Sequence, residues 1–354
     1  MSDFSDYYMN GAGASYASDR WIALSSLQKS IRRGAVEPAT AAAAALWSEP
    51  SRLLDRLLVI SLEDIGVGDP GVLREAIELT TERTWRRKLP DKGREATLGL
   101  VERMCTATKS RFSDEILAIA ALEPALGSVR TELAMASTEQ LACFSATSDD
   151  IGVRALASWF LAGTARYPMD GLPRRQGDLA AVWEAASELG VPADWLDLLN
   201  RAARRMPWPL AVLLPLAYVS KANGKPTQLA QAAPFETWRG VPLYALDQFT
   251  RRGRVAIGRW FAGSRELQEI LQAAAPRPAW PKITRYVVFA VESQVCRRHL
   301  MWPEQRDVLR RSMQAELTGR RLHPEAMDAL LACAKANLSG LNDHRRQVMD
   351  EALL

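Results

Sequence analysis

The sequence predicts an all-α protein, and three observations lead to this prediction. Alanine, leucine, arginine and glutamate, which are good helix formers, dominate the composition. Runs of Val, Ile, Thr and Tyr bounded by turn residues, which would indicate strands, are scarce. Apolar residues instead recur at helical spacing along most of the 354 residues. With 48% hydrophobic and 24% charged residues, the chain has the composition of a folded protein.

Capping signals predict where the first helices begin and end. Ser18 and Asp19 are both candidate N-caps for the first helix, and Gly34 predicts its end. After a Gly-rich break, Asp69 is placed to cap a helix that has Pro70 at its first position. Further helices are predicted at about 38–47, 51–64, 70–88, 91–108, 111–124, 128–144, 149–165, 178–189, 192–205, 243–250, 253–261, 264–274, 280–301, 303–317, 323–337 and 341–352.

Changes in composition divide the chain into four segments. Residues 1–18 lack helical periodicity and are expected to form a flexible tail. Residues 19–166 are predicted to form a first helical domain, and 241–354 a C-terminal helical domain. Residues 167–240, which contain two stretches rich in Pro, Gly and charge, are predicted to connect them.

The N-terminus and the cysteines indicate a cytoplasmic protein. The first residues are polar and acidic and contain no apolar signal-peptide core. The longest apolar run, at about 207–219, is too short to cross a bilayer, so we expect no membrane contact. Four widely spaced cysteines are expected to be reduced thiols: Cys105, Cys143, Cys296 and Cys333.

Sequence patterns for catalysis are missing. The phosphate-binding pattern GxxxxGK[ST] does not occur, and the single Gly-Lys dipeptide, Gly224-Lys225, precedes a proline. The three histidines, His299, His323 and His344, lack metal-ligand spacing, and no GxSxG nucleophile pattern is present. We therefore expect no catalytic residue, no metal and no cofactor.

Three acidic residues have alternative interpretations. Adjacent carboxylates at Glu63 and Asp64 point about 100° apart on a helix, so we expect them to cap or to form salt bridges rather than to share an acid–base site. Asp247 precedes Arg251 by four residues, which is the spacing of a helical ion pair. The stretch Thr250–Gly253 is alternatively a helix end and turn.

Clusters of basic residues, three of which include or adjoin a tryptophan, are the candidate nucleic-acid-binding sites. Arginine pairs with phosphate, and an indole ring stacks on a base, so the combination suits single strands. The alternative is a solvated helix face with its tryptophan on the core side. The candidate residues are Lys29, Arg32, Arg33, Arg86, Arg87, Arg204, Arg205, Arg251, Arg252, Arg254 and Arg259.

Three sequence elements occur in order between residues 21 and 111. The first is Lys29-Ser30-Ile31-Arg32, and the third is TATKSR at 106–111. The second is an Arg-Leu-rich helix that runs into Glu-Asp-Ile-Gly and Asp-Pro, with the residues Arg56, Leu57, Glu63, Asp64, Ile65, Gly66, Asp69 and Pro70. In this order and spacing the elements resemble the helical C-terminal region of the RarA/MgsA family of AAA+ ATPases, which has a proline where this sequence has Thr108.

This resemblance implies a fold and a set of partners. In the family the region is a collar, similar to that of clamp loaders, which drives homo-oligomerisation. The family acts at stalled replication forks and DNA ends and contacts single-strand-binding protein. ATP hydrolysis belongs there to a separate AAA+ module, so we expect none from this chain.

Together these observations predict a clamp-loader-collar-like helical bundle followed by a second helical domain. The predicted function is that of a non-enzymatic protein of DNA replication and repair, which self-assembles through its collar-like region and binds DNA or a replication partner through Arg-rich faces. One alternative is an interaction scaffold, or an adaptor of a separate AAA+ ATPase, without nucleic-acid contact. The other is an enzyme with an unrecognised helical active site.

Overall fold

The computed structural model describes residues 16, 19–82, 88–230, 234–294 and 296–352, without the side chains of residues 90 and 92. Helices dominate this part of the chain, so the all-α prediction is confirmed. The α-helices are α1 (Arg20–Arg33), α2 (Val36–Leu46), α3 (Pro50–Ile60), α4 (Pro70–Thr81), α5 (Arg94–Thr106), α6 (Phe112–Leu122), α7 (Gly127–Met135), α8 (Thr138–Thr147), α9 (Ile151–Ala162), α10 (Leu179–Glu188), α11 (Ala193–Arg205), α12 (Leu210–Asn223), α13 (Arg251–Gly263), α14 (Arg265–Ala274), α15 (Trp280–Ser293), α16 (Pro303–Gly319), α17 (Met327–Ala336) and α18 (Leu338–Glu351).

The predicted caps of the first helices are confirmed. The side chain of Asp19 accepts hydrogen bonds from the backbone of the first turn of α1, and Gly34 ends this helix with a φ of 67°. Asp69 accepts from the backbone N–H of Val72, and Pro70 is the first residue of α4. Tyr16, in the predicted tail, is buried, whereas the rest of residues 1–18 lies outside the described part of the chain.

Four short strands also form in the described part of the chain: β1 (Thr227–Ala230), β2 (Thr237–Trp238), β3 (Val241–Pro242) and β4 (Arg298–Met301). Strand β4 replaces the end of the predicted helix at 280–301, which stops at Ser293. Strand β1 pairs antiparallel with β4, and β2 with β3. The predicted helix at 243–250 is also wrong, because only a 3-10 turn forms, at residues 243–245.

Three apolar clusters form the core and do not follow the predicted segment boundaries. One is built mainly by α6, α9, α10, α11 and α12, so residues on both sides of position 167 share it. A second joins α1–α5 to residues 238–246. The third lies among α13–α18. Within the described residues, none of the helices has the length and apolarity needed to cross a membrane.

Candidate functional site

The three sequence elements between residues 21 and 111 meet in a buried network of charges. On α1, Arg32 is 1% exposed. Its Nε donates to Asp64 Oδ1 at 2.8 Å, and its Nη2 donates to Glu63 Oε1 at 3.1 Å. The two carboxylates lie on a π-helical turn, residues 61–65, that continues α3. The prediction that Glu63 and Asp64 form salt bridges is therefore confirmed.

The third element, TATKSR, completes this side of the network. Arg111 is 3% exposed and forms ion pairs with Asp64 at 3.2 Å and Asp114 at 2.5 Å. Lys109 is fully buried, and its Nζ donates to backbone carbonyls at the end of α5, including Ala107 O at 2.6 Å. A cation at this position is favoured by the negative end of the helix dipole. Both basic residues thus have structural roles.

Glycines allow the second and third elements to touch. A Cβ atom at Gly66 would lie 2.7 Å from Ser110 O, and one at Gly68 would lie 2.6 Å from Thr108 O. Gly66 also has a φ of 49°, which side chains with a Cβ rarely adopt. The Ile-Gly-Val-Gly sequence is therefore explained by close backbone approach.

Lys29 connects α1 to the C-terminal helices through further buried polar contacts. Its Nζ donates to Tyr244 O at 2.7 Å and lies 3.2 Å from Asp247 Oδ2. It is also 3.9 Å from Glu292, whose carboxylate accepts two hydrogen bonds from Arg345 at 2.7 and 2.8 Å. Burial lowers the pKa of Lys29, while Asp247 and Glu292 act in the opposite direction. The network therefore links α1 to α15 and α18.

The predicted ion pair between Asp247 and Arg251 is wrong, because Asp247 faces Lys29 in the interior. Helix α13 begins at Arg251 instead of ending there, and the Thr250 side chain caps it by accepting from Gly253 N at 3.0 Å. A Cβ at Gly253 would lie 2.1 Å from Asp247 O, so this turn requires glycine. The stretch from Asp247 to Gly253 is thus a tightly packed start of α13.

The first predicted basic cluster does not form an outward face. Lys29 and Arg32 point into the core, where Asp247 and Asp64 respectively neutralise them, so they are inaccessible to nucleic acid in this structure. Arg33 is half-buried, lies 4.5 Å from the Tyr244 ring and donates to a backbone carbonyl of α15. The sequence pattern could not reveal these partners, because they lie far away along the chain.

The candidates of the second cluster, Arg86 and Arg87, lie outside the described residues. The third cluster offers little free charge. Arg205 donates twice to Asp55, at 3.0 and 2.6 Å. Arg204 is exposed and donates to Asn200 Oδ1 on its own helix at 3.2 Å.

The fourth cluster contains exposed arginines that lack a carboxylate partner among the described residues. These are Arg251 and Arg254, on the first turn of α13, and Arg254 makes one long hydrogen bond of 3.5 Å to a backbone carbonyl. Arg252 is half-buried against Met349, whereas Arg259 is paired with Glu351 by two hydrogen bonds of 2.6 and 3.0 Å.

Apolar side chains lie beside the free arginines. Phe249 is 61% exposed and Val255 42% exposed. The Phe249 ring packs edge-on against Phe289, with 5.4 Å between ring centroids, which leaves much of the ring open to solvent. We call Phe249, Arg251, Arg254 and Val255 the α13 basic face.

Helix polarity makes the α13 basic face suited to an anion. The first turn of α13 contains no acidic residue. The positive end of the helix dipole therefore adds to the arginine charges, which is an unfavourable arrangement for the free protein. A bound phosphate would relieve this repulsion.

Histidines and cysteines do not assemble a reactive centre. Among the described residues, no group of three or more His, Cys, Asp or Glu side chains is arranged to hold a metal ion. Burial, with the charges of Arg111 and Arg32, lowers the pKa of His299 to about 4. Burial raises the pKa of Cys105 to about 12 and that of Cys296 to about 11, so these thiols are poor nucleophiles.

Comparisons with known proteins identify no relative. No family model matches the sequence, and no curated protein or solved structure matches it. The resemblance of residues 21–111 to the RarA/MgsA collar therefore stays a prediction.

Proposed function

We propose that the protein is a non-enzymatic DNA-binding protein of replication and repair, which contacts a single strand through the α13 basic face. One observation carries this proposal: Arg251 and Arg254 are exposed, without a carboxylate partner in the described part of the chain, beside the exposed ring of Phe249. The other described clusters are buried or largely paired with carboxylates.

The proposed contact combines charge and stacking. The guanidinium groups of Arg251 and Arg254 bind backbone phosphates, and counterions released from the strand drive association. The open side of Phe249 provides a surface on which a base stacks, a contact that tolerates any sequence. Single strands are preferred because their bases are free to reach the ring.

The buried network supports this face. Asp247 is held by Lys29 at 3.2 Å and by Ser25 Oγ at 2.8 Å, and it accepts from the backbone N–H of Phe249 at 2.9 Å. These contacts fix the turn that presents Phe249 and starts α13. A rigid turn reduces the ordering cost of binding.

The family resemblance supports the remaining part of the proposal. A collar-like region in residues 21–111 would assemble the chain into a homo-oligomer. A separate AAA+ ATPase or a single-strand-binding protein would be its partner at the fork. Assembly would place several α13 basic faces on one strand and increase the overall affinity.

Fluorescence anisotropy with a labelled single-stranded oligonucleotide tests the DNA contact. Arg251→Glu combined with Arg254→Glu should weaken binding at least about 30-fold, since two phosphate contacts become repulsive. Arg306→Glu with Arg310→Glu, the same charge change on exposed residues of α16, is the matched control and should change affinity much less. Equal effects of the two double variants would contradict the proposal.

A protein-interaction scaffold or adaptor without DNA contact is the second candidate. Large exposed apolar side chains favour it, including Trp21 at 52% and Trp208 at 45% exposure, because tryptophan is enriched in protein interfaces. In that case the wild-type protein would not bind the oligonucleotide at low salt.

A further inference from the structure

The orientation of β4 determines which backbone groups of β1 are free. Lys109 N donates to Arg298 O at 2.6 Å, and Leu300 N donates to Lys109 O at 2.9 Å. Arg298 and Leu300 therefore use these groups on the side of β4 that faces Lys109. Successive residues of a strand turn their backbone groups to opposite sides. The backbone groups of His299 and Met301 thus face β1.

The register of the sheet determines which backbone groups of β1 face β4. His299 and Met301 lie opposite Leu229 and Thr227, so these residues of β1 use their N–H and C=O groups toward β4. The N–H and C=O groups of Gln228 and Ala230 consequently point away from the sheet. In the described part of the chain, no residue bonds to them.

The outer edge of β1 contains no charged residue or proline that would block pairing with another strand. All four side chains of β1 are exposed and none is charged, and Leu229 is 47% exposed. Edge strands usually carry charges or prolines that block pairing with another chain. Pro226 is such a block, but it precedes β1 and only limits the length of the edge.

We propose that β1 is a self-pairing edge, which joins β1 of a second copy in antiparallel orientation. The outward groups of Gln228 and Ala230 are symmetric about Leu229. With the two-fold axis at Leu229, Gln228 of each copy exchanges both backbone hydrogen bonds with Ala230 of the other. Leu229 then faces its counterpart at the close, non-hydrogen-bonded position, and the two exposed side chains cover each other. This symmetry favours a second copy over an unrelated segment.

Position-specific cross-linking tests the register. In a Cys143→Ser background, which removes the exposed native cysteine, Leu229→Cys should form a disulfide-linked dimer under mild oxidation. The paired Cα atoms would lie about 4.5 Å apart, within disulfide range. Gln228→Cys is the matched control, because its partner across the axis is Ala230. We expect Leu229→Cys to cross-link at least ten-fold faster, and equal rates would overturn the proposal.

Sedimentation equilibrium tests the hydrogen bonds. Ala230→Pro removes an outward N–H that β4 does not use, whereas Ala230→Val keeps it. The dimer dissociation constant should rise at least about ten-fold for the proline variant alone, since each dimer loses two bonds. A monomeric wild type, or equal constants for both variants, would contradict self-pairing. The oligonucleotide affinity of Ala230→Pro reports separately on the α13 basic face.

Discussion

Two basic residues, Lys29 and Arg32, are buried although the local sequence predicts them to be exposed. Lys29 and Arg32 belong to a basic stretch at the end of a helix, and the local sequence predicts an outward face. Both are buried because Asp64 and Asp247 neutralise them from distant segments. The burial of Lys29 and Arg32 depends on partners that lie far along the chain, so a local sequence pattern could not predict it.

Asp64 should be indispensable to the buried network. It is 0% exposed and lies between the guanidinium groups of Arg32 and Arg111. Asp64→Asn leaves both cations underneutralised, so we expect a loss of about 3–5 kcal/mol in the free energy of unfolding. Asp328→Asn is the control, because its ion pair with Arg310 is 67% exposed on both sides and should contribute at most about 1 kcal/mol. Similar losses in urea unfolding would refute the structural role of Asp64.

Gly253 should tolerate no side chain. A Cβ there would lie 2.1 Å from Asp247 O and 2.4 Å from Asp247 N, both backbone atoms. We expect Gly253→Ala to destabilise the protein by about 2–4 kcal/mol, because the turn must shift. Gly258→Ala on the same helix meets nothing within 4 Å and should stabilise the protein by about 0.5–1 kcal/mol. Thermal unfolding of both variants measures the contrast, and the same sign for both would refute it.

His299 should make the fold sensitive to acid. Its pKa falls from 6.5 to about 4 on folding, so the unfolded chain binds more protons between these values. The free energy of unfolding therefore decreases as the pH falls from 6.5 to about 4. The full decrease, reached below both pKa values, is about 3 kcal/mol. In denaturant unfolding at pH 7.0 and 4.5, His299→Gln should lose less stability than the wild type. Parallel losses would show that another group causes the acid sensitivity.

At the scale of the elements, local signals predict most of the helices and none of the strands, but they give one helix at 128–144 where α7 and α8 form, and they miss α12. The caps at Asp19, Gly34 and Asp69 are short-range chemistry that a sequence displays directly. The local sequence of β4 predicts the end of a helix, because its partner β1 lies about seventy residues earlier and pairing depends on that context. The candidate site was predictable only in part: Arg251 and Arg254 are exposed, whereas Lys29 and Arg32 are not.

The cap of α4 should contribute to stability as a local interaction. Asp69→Ala removes the acceptor of the hydrogen bond from Val72 N, at 3.1 Å, so we expect a loss of about 1 kcal/mol. Glu49→Ala is the control, because Glu49 occupies the N-cap of α3 without a side-chain capping bond. Equal losses in chemical unfolding would show that capping is not the cause.

For the whole molecule, the buried network adds polar contacts between the second and third apolar clusters, which already share helix α18 through Met349 and Leu341. Lys29 and Arg32 belong to the helix that opens the second cluster, while Glu292 and Arg345 lie on helices of the third. The network thereby holds the start of α13 against the first helix. The sequence elements between residues 21 and 111 would therefore support the proposed binding face only indirectly, because Arg251 and Arg254 lie beyond them.

The salt dependence of single-strand binding tests this account most directly. The observed association constant should fall linearly with salt on a logarithmic plot, and each phosphate contact contributes about 0.7 to the slope. Replacing Arg251 and Arg254 by alanine should therefore reduce the slope by about 1.4 while leaving the unfolding free energy nearly unchanged. An unchanged slope, or no binding by the wild type at low salt, would contradict the proposed role of the α13 basic face.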